Sequence, residues 1–262
     1  MTSAPALLTP RVAANLSHAF GGVWRLTFRK FLLPGHWIAL AVGLGVLALL
    51  CFGSGHRGSG TGHYIGWVCG FYVTFLVPAI AFMAAAGAMR EEVKSTTVDY
   101  VLTRPLPRPA FVAFKFLSHL ACTQLDLLLA FAVVLGVGVL RDADGLGAAV
   151  PSMLCGQIVL ATAFTAFGFL CGAITAKYVV IGLAYAGIIE AGVGQIPTQL
   201  SRLSMTHQVL NLLAPLMDPA AAAVSMGNWL GTTVIVLAFG AIYLGAAAAV
   251  FTLRELSGPA DA

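Results

Sequence analysis

Long apolar stretches recur along this chain, and they constrain its fold more than any other feature. A transmembrane helix needs about 20 consecutive, mostly apolar residues. Only 9% of the residues are charged, against about 25% in soluble domains. The sequence therefore predicts an all-α integral membrane protein, with one transmembrane domain over residues 1–262. The stretches long enough to span are residues 65–89, 112–140, 148–176, 178–197 and 229–253.

A sixth apolar stretch, residues 37–53, is short for a span. Its uninterrupted part, residues 37–52, would extend about 24 Å as a helix, whereas the hydrocarbon core of a bilayer is about 30 Å thick. To cross, it needs residues 31–33, a thin bilayer or flanking side chains that snorkel. We count it as a span, which gives six.

The apolar run from residue 148 to residue 197 is too long for one span. As a single helix it would extend about 75 Å, more than twice the thickness of the hydrocarbon core. Lys177 is its only charged residue before Glu190. We therefore predict a tight turn at residues 176–178, with a span on either side.

Basic residues indicate how the spans are oriented. With six spans, both termini share one side with eleven of the fourteen Lys and Arg residues, and the other side has Arg57, Arg141 and Arg202. Cytoplasmic loops carry the excess of Lys and Arg. We therefore predict a bacterial inner membrane protein with cytoplasmic termini. No basic segment interleaved with aromatic residues points to a nucleic acid partner.

The N-terminal residues 11–33 resemble an interfacial helix more than a cleavable signal peptide, because no short apolar run with a cleavage site precedes Arg11. Apolar residues recur at helical spacing on one side, and polar residues lie on the other. Alternatively, the arginines only set the orientation of the spans in the membrane. The apolar side comprises Leu16, Phe20, Val23, Trp24, Phe28 and Phe31, and the polar side His18, Arg25 and Arg29.

Charge is concentrated between residues 90 and 115, which hold a third of the charged side chains. Within residues 92–110, Thr96 and Asp99 fit a helix-start pattern. A short amphipathic helix would follow, with Val98, Val101 and Leu102 on one face. Prolines 105, 107 and 109 predict an extended or turning backbone over residues 104–109, with the third span starting near Phe111. A rigid cytoplasmic helix of this kind suits force transfer, although a solvated connection is the simpler alternative.

No motif in the chain indicates catalysis or nucleotide binding. The sequence has no HExxH, no GxSxG and no GxxxxGK[ST] phosphate loop. His56 and His63, in a glycine- and serine-rich loop, have no acidic or thiol neighbour, so a metal site is not favoured. Five cysteines lie in or beside spans, where free thiols are expected, and pairing of Cys51 with Cys69 stays open. If the protein uses ATP, another polypeptide must bind it.

Two polar segments resemble the type-2 membrane subunits of ABC transporters, which have six spans and a coupling helix between the second and third. One is residues 182–212, similar to the family's fifth span with its glutamate and the outer segment that follows. The other is the charged segment, in which Thr96 stands where many members have a glycine. The residues that carry the second resemblance are Glu92, Thr97, Tyr100, Val101, Leu102, Arg104, Pro105, Arg108 and Lys115.

The resemblance implies a permease subunit that is not itself catalytic and binds no cofactor. It would dimerise with a second copy or a paralogue, and dock a cytoplasmic subunit that carries ATP and Mg. Residues 198–227 would form the family's outer helical hairpin. Transport would be export of a hydrophobic or amphipathic substrate. The coupling residues implied are Glu92, Thr97, Val98, Tyr100, Val101, Leu102, Arg104, Pro105 and Arg108.

Two acidic residues lie inside predicted spans, where ionisable groups are costly and usually face the bundle interior or water. Asp126, with His119 and Gln124 nearby in sequence, could line a substrate path, relay protons or make an interhelical hydrogen bond. By the resemblance, Glu190 is a structural and gating residue that ties the fifth span to the outer hairpin, and direct substrate contact is the alternative.

Two other functions remain open at this point. A proton-driven secondary transporter would use Asp126 and Glu190 as carriers and would show inverted repeats, which the sequence does not show convincingly. A membrane assembly factor without transport is the third hypothesis. Co-purification of a nucleotide-binding subunit separates the ABC permease from both.

Overall fold

The computed structural model describes residues 16–54, 62–94, 107–143, 145–195, 199–217 and 229–253. Within these ranges the chain forms helices joined by short turns, and no strand occurs. The all-helical architecture predicted from the apolar periodicity is therefore confirmed for the part of the chain described. The predicted coupling residues Thr97, Val98, Tyr100, Val101, Leu102, Arg104 and Pro105 lie outside it.

Within the described ranges, eight helices follow one another. Three of them are irregular: α3 has a π-helical centre, Val68–Leu76, between α-helical parts Gly62–Trp67 and Val77–Lys94. The helix α6, Tyr178–Tyr185, continues as a π-helical turn, Ala186–Gly192, and a 3-10 turn, Val193–Gln195. A 3-10 turn, Gln199–Leu203, precedes α7, Met205–Met217. The regular helices are α1 (Leu16–Phe31), α2 (Pro34–Gly53), α4 (Arg108–Leu140), α5 (Leu146–Ile174) and α8 (Trp229–Leu253).

Five of the described helices are long and apolar enough to cross a membrane. They correspond to five of the six predicted spans. The sixth, α6 with its π turn, is a shorter apolar helix, Tyr178–Gly192. The five long helices are Pro34–Gly53, Tyr64–Val93, Arg108–Leu140, Leu146–Ile174 and Trp229–Leu253.

The helix α5 lies at the centre of the bundle and is its most buried span. α3 packs along one side of it and α8 along another. The contact with α3 is close because Gly168 and Gly172 face it: a Cβ at Gly172 would lie 2.4 Å from the Ala86 carbonyl oxygen. Small residues of this kind let the backbones of membrane helices approach each other.

Two helices end or begin at other residues than the predicted stretches. α3 continues past Met89 to Lys94, because the charged residues that end the apolar stretch are themselves good helix formers. α4 begins at Arg108 rather than near Phe111, with Pro107 as its extended N-cap residue. Pro109 therefore lies in the first helical turn, where a missing N–H removes no hydrogen bond.

The first span is also longer than the predicted stretch. α2 begins at Pro34 and has 20 residues, which corresponds to about 30 Å, so residues 31–33 are not needed. Leu32 and Leu33 separate it from α1. Proline suits the first position of a helix because its N–H would be unpaired there in any case. Pro34 thus ends α1 and starts α2.

Candidate functional site

Glu190 lies on the π turn Ala186–Gly192 of α6, and its carboxylate meets the start of α7. The Ser204 hydroxyl donates to Glu190 Oε2 at 2.5 Å. The backbone N–H of Met205 donates to Oε1 at 3.2 Å, and that of Thr206 donates to Oε2 at 3.1 Å. The Thr206 hydroxyl also donates to Oε2. Four donors thus converge on one carboxylate.

Ser204 completes the cap of α7. Its hydroxyl oxygen accepts from the His207 N–H at 3.0 Å, and its carbonyl oxygen accepts from the Gln208 N–H at 3.2 Å. The first four N–H groups of a helix have no partner within the helix itself. In α7 all four are paired, two with Glu190 and two with Ser204. A carboxylate in this position also interacts favourably with the helix dipole.

The start of α7 needs this pairing because α7 packs inside the bundle. Met205, Val209 and Leu213, at one-turn intervals, are fully buried. A Cβ at Gly156 of α5 would lie 2.9 Å from Val209 Cγ1. Gly156 is ten residues into α5, about 15 Å along its axis. Unpaired backbone N–H groups at such depth in a membrane protein cost several kcal/mol each.

The Glu190 carboxylate has little capacity left for a ligand. An ionised carboxylate offers about four acceptor positions, two on each oxygen. Three donors share Oε2 and one binds Oε1, so that one position on Oε1 is left. In the described part of the chain, no Lys, Arg or His forms an ion pair with it. This geometry fits a structural tie between α6 and α7 better than direct substrate contact.

Asp126, the second predicted intramembrane acid, pairs with a residue that the sequence reasoning missed. His36 Nε2 lies 3.2 Å from Asp126 Oδ1, and this contact links the first turn of α2 to the middle of α4. The two other polar residues predicted near Asp126 do not join it. Gln124 donates to the Ile158 carbonyl oxygen at 3.2 Å, and the His119 ring lies against Phe169.

The C-terminal end of α3 and the N-terminal part of α4 are joined by an ion pair. Lys115 Nζ lies 2.7 Å from Glu92 Oε1, and these side chains are only 5% and 13% exposed. A second pair, Lys30 with Glu91 at 2.7 Å, links α1 to α3 but is mostly exposed. Together these pairs hold the two helix ends between which the predicted coupling segment runs.

Arg108, at the start of α4, binds the end of α8. Its Nη1 donates to the Thr252 carbonyl oxygen at 2.9 Å. One turn along, Phe111 stacks on Phe251 with ring centroids 5.8 Å apart. Of the nine predicted coupling residues, the structure therefore places Glu92 and Arg108, both in interhelical contacts. The coupling roles of all nine stay predictions.

No cluster that could hold a metal ion occurs among the described residues. The five cysteines, all within that part of the chain, are free thiols, including Cys51 and Cys69.

The sequence around Ser204 does indicate the start of α7. Ser204 precedes Met205, Val209 and Leu213, and a serine directly before an apolar periodicity marks a helix start. His36 had no comparable signal, because nothing local indicates that it meets a residue 90 positions away.

The long apolar helices, with α7 packed into the bundle and charged side chains at the end of α3, together define a polytopic α-helical membrane protein. Its sequence matches the family described as ABC-2 family transporter protein over residues 11–256. The chain therefore belongs to the ABC-2 family of transporter proteins, and the resemblance to ABC type-2 permeases is confirmed. No curated protein matches the chain.

Proposed function

We propose that this protein is the permease subunit of an ABC transporter and couples ATP hydrolysis on a separate cytoplasmic subunit to export. Its family membership makes it a transporter membrane protein; the ATPase partner, the direction and the substrate are the proposal. One observation carries it most directly. The ends of α3 and α4 that flank residues 95–106 are joined by the buried pair of Glu92 and Lys115.

Because of this ion pair, a displacement of the coupling segment would move α3 and α4 together. A displaced loop between two independent helices would only flex, whereas α3 and α4 joined at their inner ends follow the segment together. α3 is in turn interlocked with α5 at Gly168 and Gly172. A push on the segment would therefore reach the centre of the bundle. The residues proposed to receive it are Glu92, Thr97, Val98, Tyr100, Val101, Leu102, Arg104, Pro105 and Arg108.

We also propose six spans with both termini in the cytoplasm of a bacterial inner membrane. Tyr178–Gly192 has 15 residues, about 22 Å at the α-helical rise, and Val193–Gln195 adds about 6 Å as a 3-10 turn. The sum approaches the roughly 30 Å of a hydrocarbon core. The N-terminal residues 11–33 would lie at the inner interface, and residues 198–227 would form the outer hairpin that contains α7.

The proposed dimer is supported by an apolar surface on α6. Between Tyr178 and Gly192 no residue is buried, and Val180 and Leu183 are more than 60% exposed. A second permease copy or a paralogue, as well as lipid, can cover such a surface. An apolar face between two copies would suit a hydrophobic or amphipathic substrate.

The proton-driven alternative is less well supported. It needs Asp126 and Glu190 to exchange protons along one path, yet the first pairs with His36 and the second accepts four hydrogen bonds at the start of α7. An assembly factor without transport would need neither the inner ion pair nor a coupled outer helix.

Purification in mild detergent tests the proposal. The protein, expressed with its neighbouring genes, should bring a nucleotide-binding subunit in stoichiometric amount, and the complex should hydrolyse ATP. Reconstituted vesicles should then accumulate a hydrophobic dye in an ATP-dependent way if export is correct. Full transport by the chain alone, driven by a proton gradient, would refute the proposal.

A further inference from the structure

α3 has an unusual centre. Nine consecutive residues, Val68–Leu76, adopt π-helical geometry between two α-helical parts. π-helical turns mostly occur singly, and frequently at functional sites. Gly70 lies in this segment, and a Cβ there would meet nothing within 4 Å, so packing does not require the glycine. Glycine inside a helix lowers its stability, which keeps the segment easy to rearrange.

The π segment is held by a single buried hydroxyl group with two acceptors. The Tyr72 hydroxyl lies 2.7 Å from Gln157 Oε1 on α5 and 3.0 Å from the Leu127 carbonyl oxygen on α4. Its one proton can be donated to either. Tyr72 and Gln157 are fully buried. Gln157 Nε2 has no hydrogen-bond partner among the described residues. With the amide turned over, Nε2 donates to the Tyr72 hydroxyl oxygen, and the hydroxyl proton goes to the Leu127 carbonyl oxygen, so that both bonds form.

The two halves of α3 are attached to different parts of the molecule. The inner half is interlocked with α5 at Gly172, where a Cβ would collide with the Ala86 backbone, and carries Glu92 in its last turn. The π segment instead supports α7. A Cβ at Gly156 would lie 3.6 Å from Val73 Cγ1 and 2.9 Å from Val209 Cγ1 of α7. The π segment thus separates the inner half from the seat of the outer helix.

We infer that Val68–Leu76 is a two-state joint that transmits movement from the inner end of α3 to α7. In the state seen here it is π-helical and Tyr72 bonds to Gln157 and Leu127. In the other state the segment takes an α-helical register, Tyr72 leaves these partners, and the surface under α7 rotates. This inference rests on the proposed function, because a partner that moves the inner end must supply the push.

Amide hydrogen exchange of the complex in lipid nanodiscs tests the joint. The permease with its co-purified ATP-binding subunit is measured without nucleotide and after trapping with ATP and vanadate. Exchange within residues 68–76 should differ at least severalfold between the two conditions, while residues 158–172 of α5 stay unchanged. The variant Tyr72→Phe should exchange roughly tenfold faster in this segment without nucleotide, since it loses the hydroxyl bonds that hold it.

Tyr64→Phe is the matched control. The Tyr64 hydroxyl, on the same helix but outside the π segment, donates to the Val134 carbonyl oxygen at 2.7 Å. This variant should leave exchange at residues 68–76 and its nucleotide dependence unaltered. If Tyr72→Phe does not fold, the nucleotide dependence of the unmodified complex still decides.

The experiment distinguishes a failure of the joint from a failure of the proposed function. A hydrolytically active complex whose residues 68–76 exchange equally in both nucleotide conditions overturns the joint and leaves the proposed function standing. If no ATP-binding subunit co-purifies with the protein, the proposed function is refuted, and the joint with it.

Discussion

Glu190 and Ser204, fourteen residues apart, share one hydrogen bond of 2.5 Å and together pair the first four N–H groups of α7. The contact fastens α7 to α6. Both partners are necessary, because Ser204 reaches the later N–H groups and Glu190 the earlier ones.

Glu190→Gln should destabilise the protein by about 2 kcal/mol, because an amide donor would then face the Ser204 and Thr206 donors. For a chain of this size that corresponds to a melting temperature lower by roughly 4–8 °C. Thermal unfolding in detergent measures it. Glu91→Gln is the control, since its ion pair with Lys30 is largely exposed and should contribute less than about 1 kcal/mol. Equal effects of the two substitutions would contradict the capping role.

Gly194→Ala should disturb the same contact from the other side. A Cβ at Gly194 would lie 2.9 Å from Ser204 Oγ and 3.1 Å from Ser204 Cβ, so the cap would have to move, at a cost of about 1–3 kcal/mol. Gly187→Ala, on the π turn of the same helix, meets nothing within 4 Å and should be neutral. Limited proteolysis of residues 199–217 reports on the loosened helix, and no difference between the variants would be contrary to expectation.

Gly172→Ala should force α3 and α5 apart. The added Cβ would lie 2.4 Å from the Ala86 carbonyl oxygen, and backbone cannot yield as a side chain can. The expected loss is about 1–3 kcal/mol, measured as a lower melting temperature. Gly43→Ala in α2, where a Cβ meets nothing, should be neutral or stabilising by about 0.5–1 kcal/mol. A harmless Gly172→Ala would show that the helices pack less closely than described.

Lys115→Gln should destabilise the protein by about 3 kcal/mol, because it leaves the Glu92 carboxylate buried without its partner. Replacing both, as Lys115→Met with Glu92→Leu, should recover most of that loss. If the pair also transmits force, the recovered double variant should fold normally and still show weaker coupling of ATP hydrolysis to transport. The control is Lys30→Gln at the exposed pair, with an expected effect within about 1 kcal/mol. A double variant with unimpaired coupling would remove the transmission role.

The sequence was most informative where the determining interactions are local. It predicted helices from apolar stretches, and it predicted the turn between α5 and α6 that the structure has at Ala176 and Lys177. It misplaced the start of α4, because Pro109 was interpreted as excluding helix although a first-turn proline is compatible with one. It also treated Asp126 together with His119 and Gln124, whereas the partner of Asp126 is the distant His36.

The sequence by itself determined that this protein is a helical membrane protein, where its long apolar helices lie and which stretch concentrates its charge. Backbone hydrogen bonds within a helix and the transfer of side chains into lipid depend on a residue and its near neighbours, so a linear pattern reveals them. Only the tertiary structure decided that Glu190 caps α7, that Lys115 pairs with Glu92 and that Gly172 contacts Ala86. Such contacts join residues distant in sequence, and their geometry depends on how every intervening helix packs.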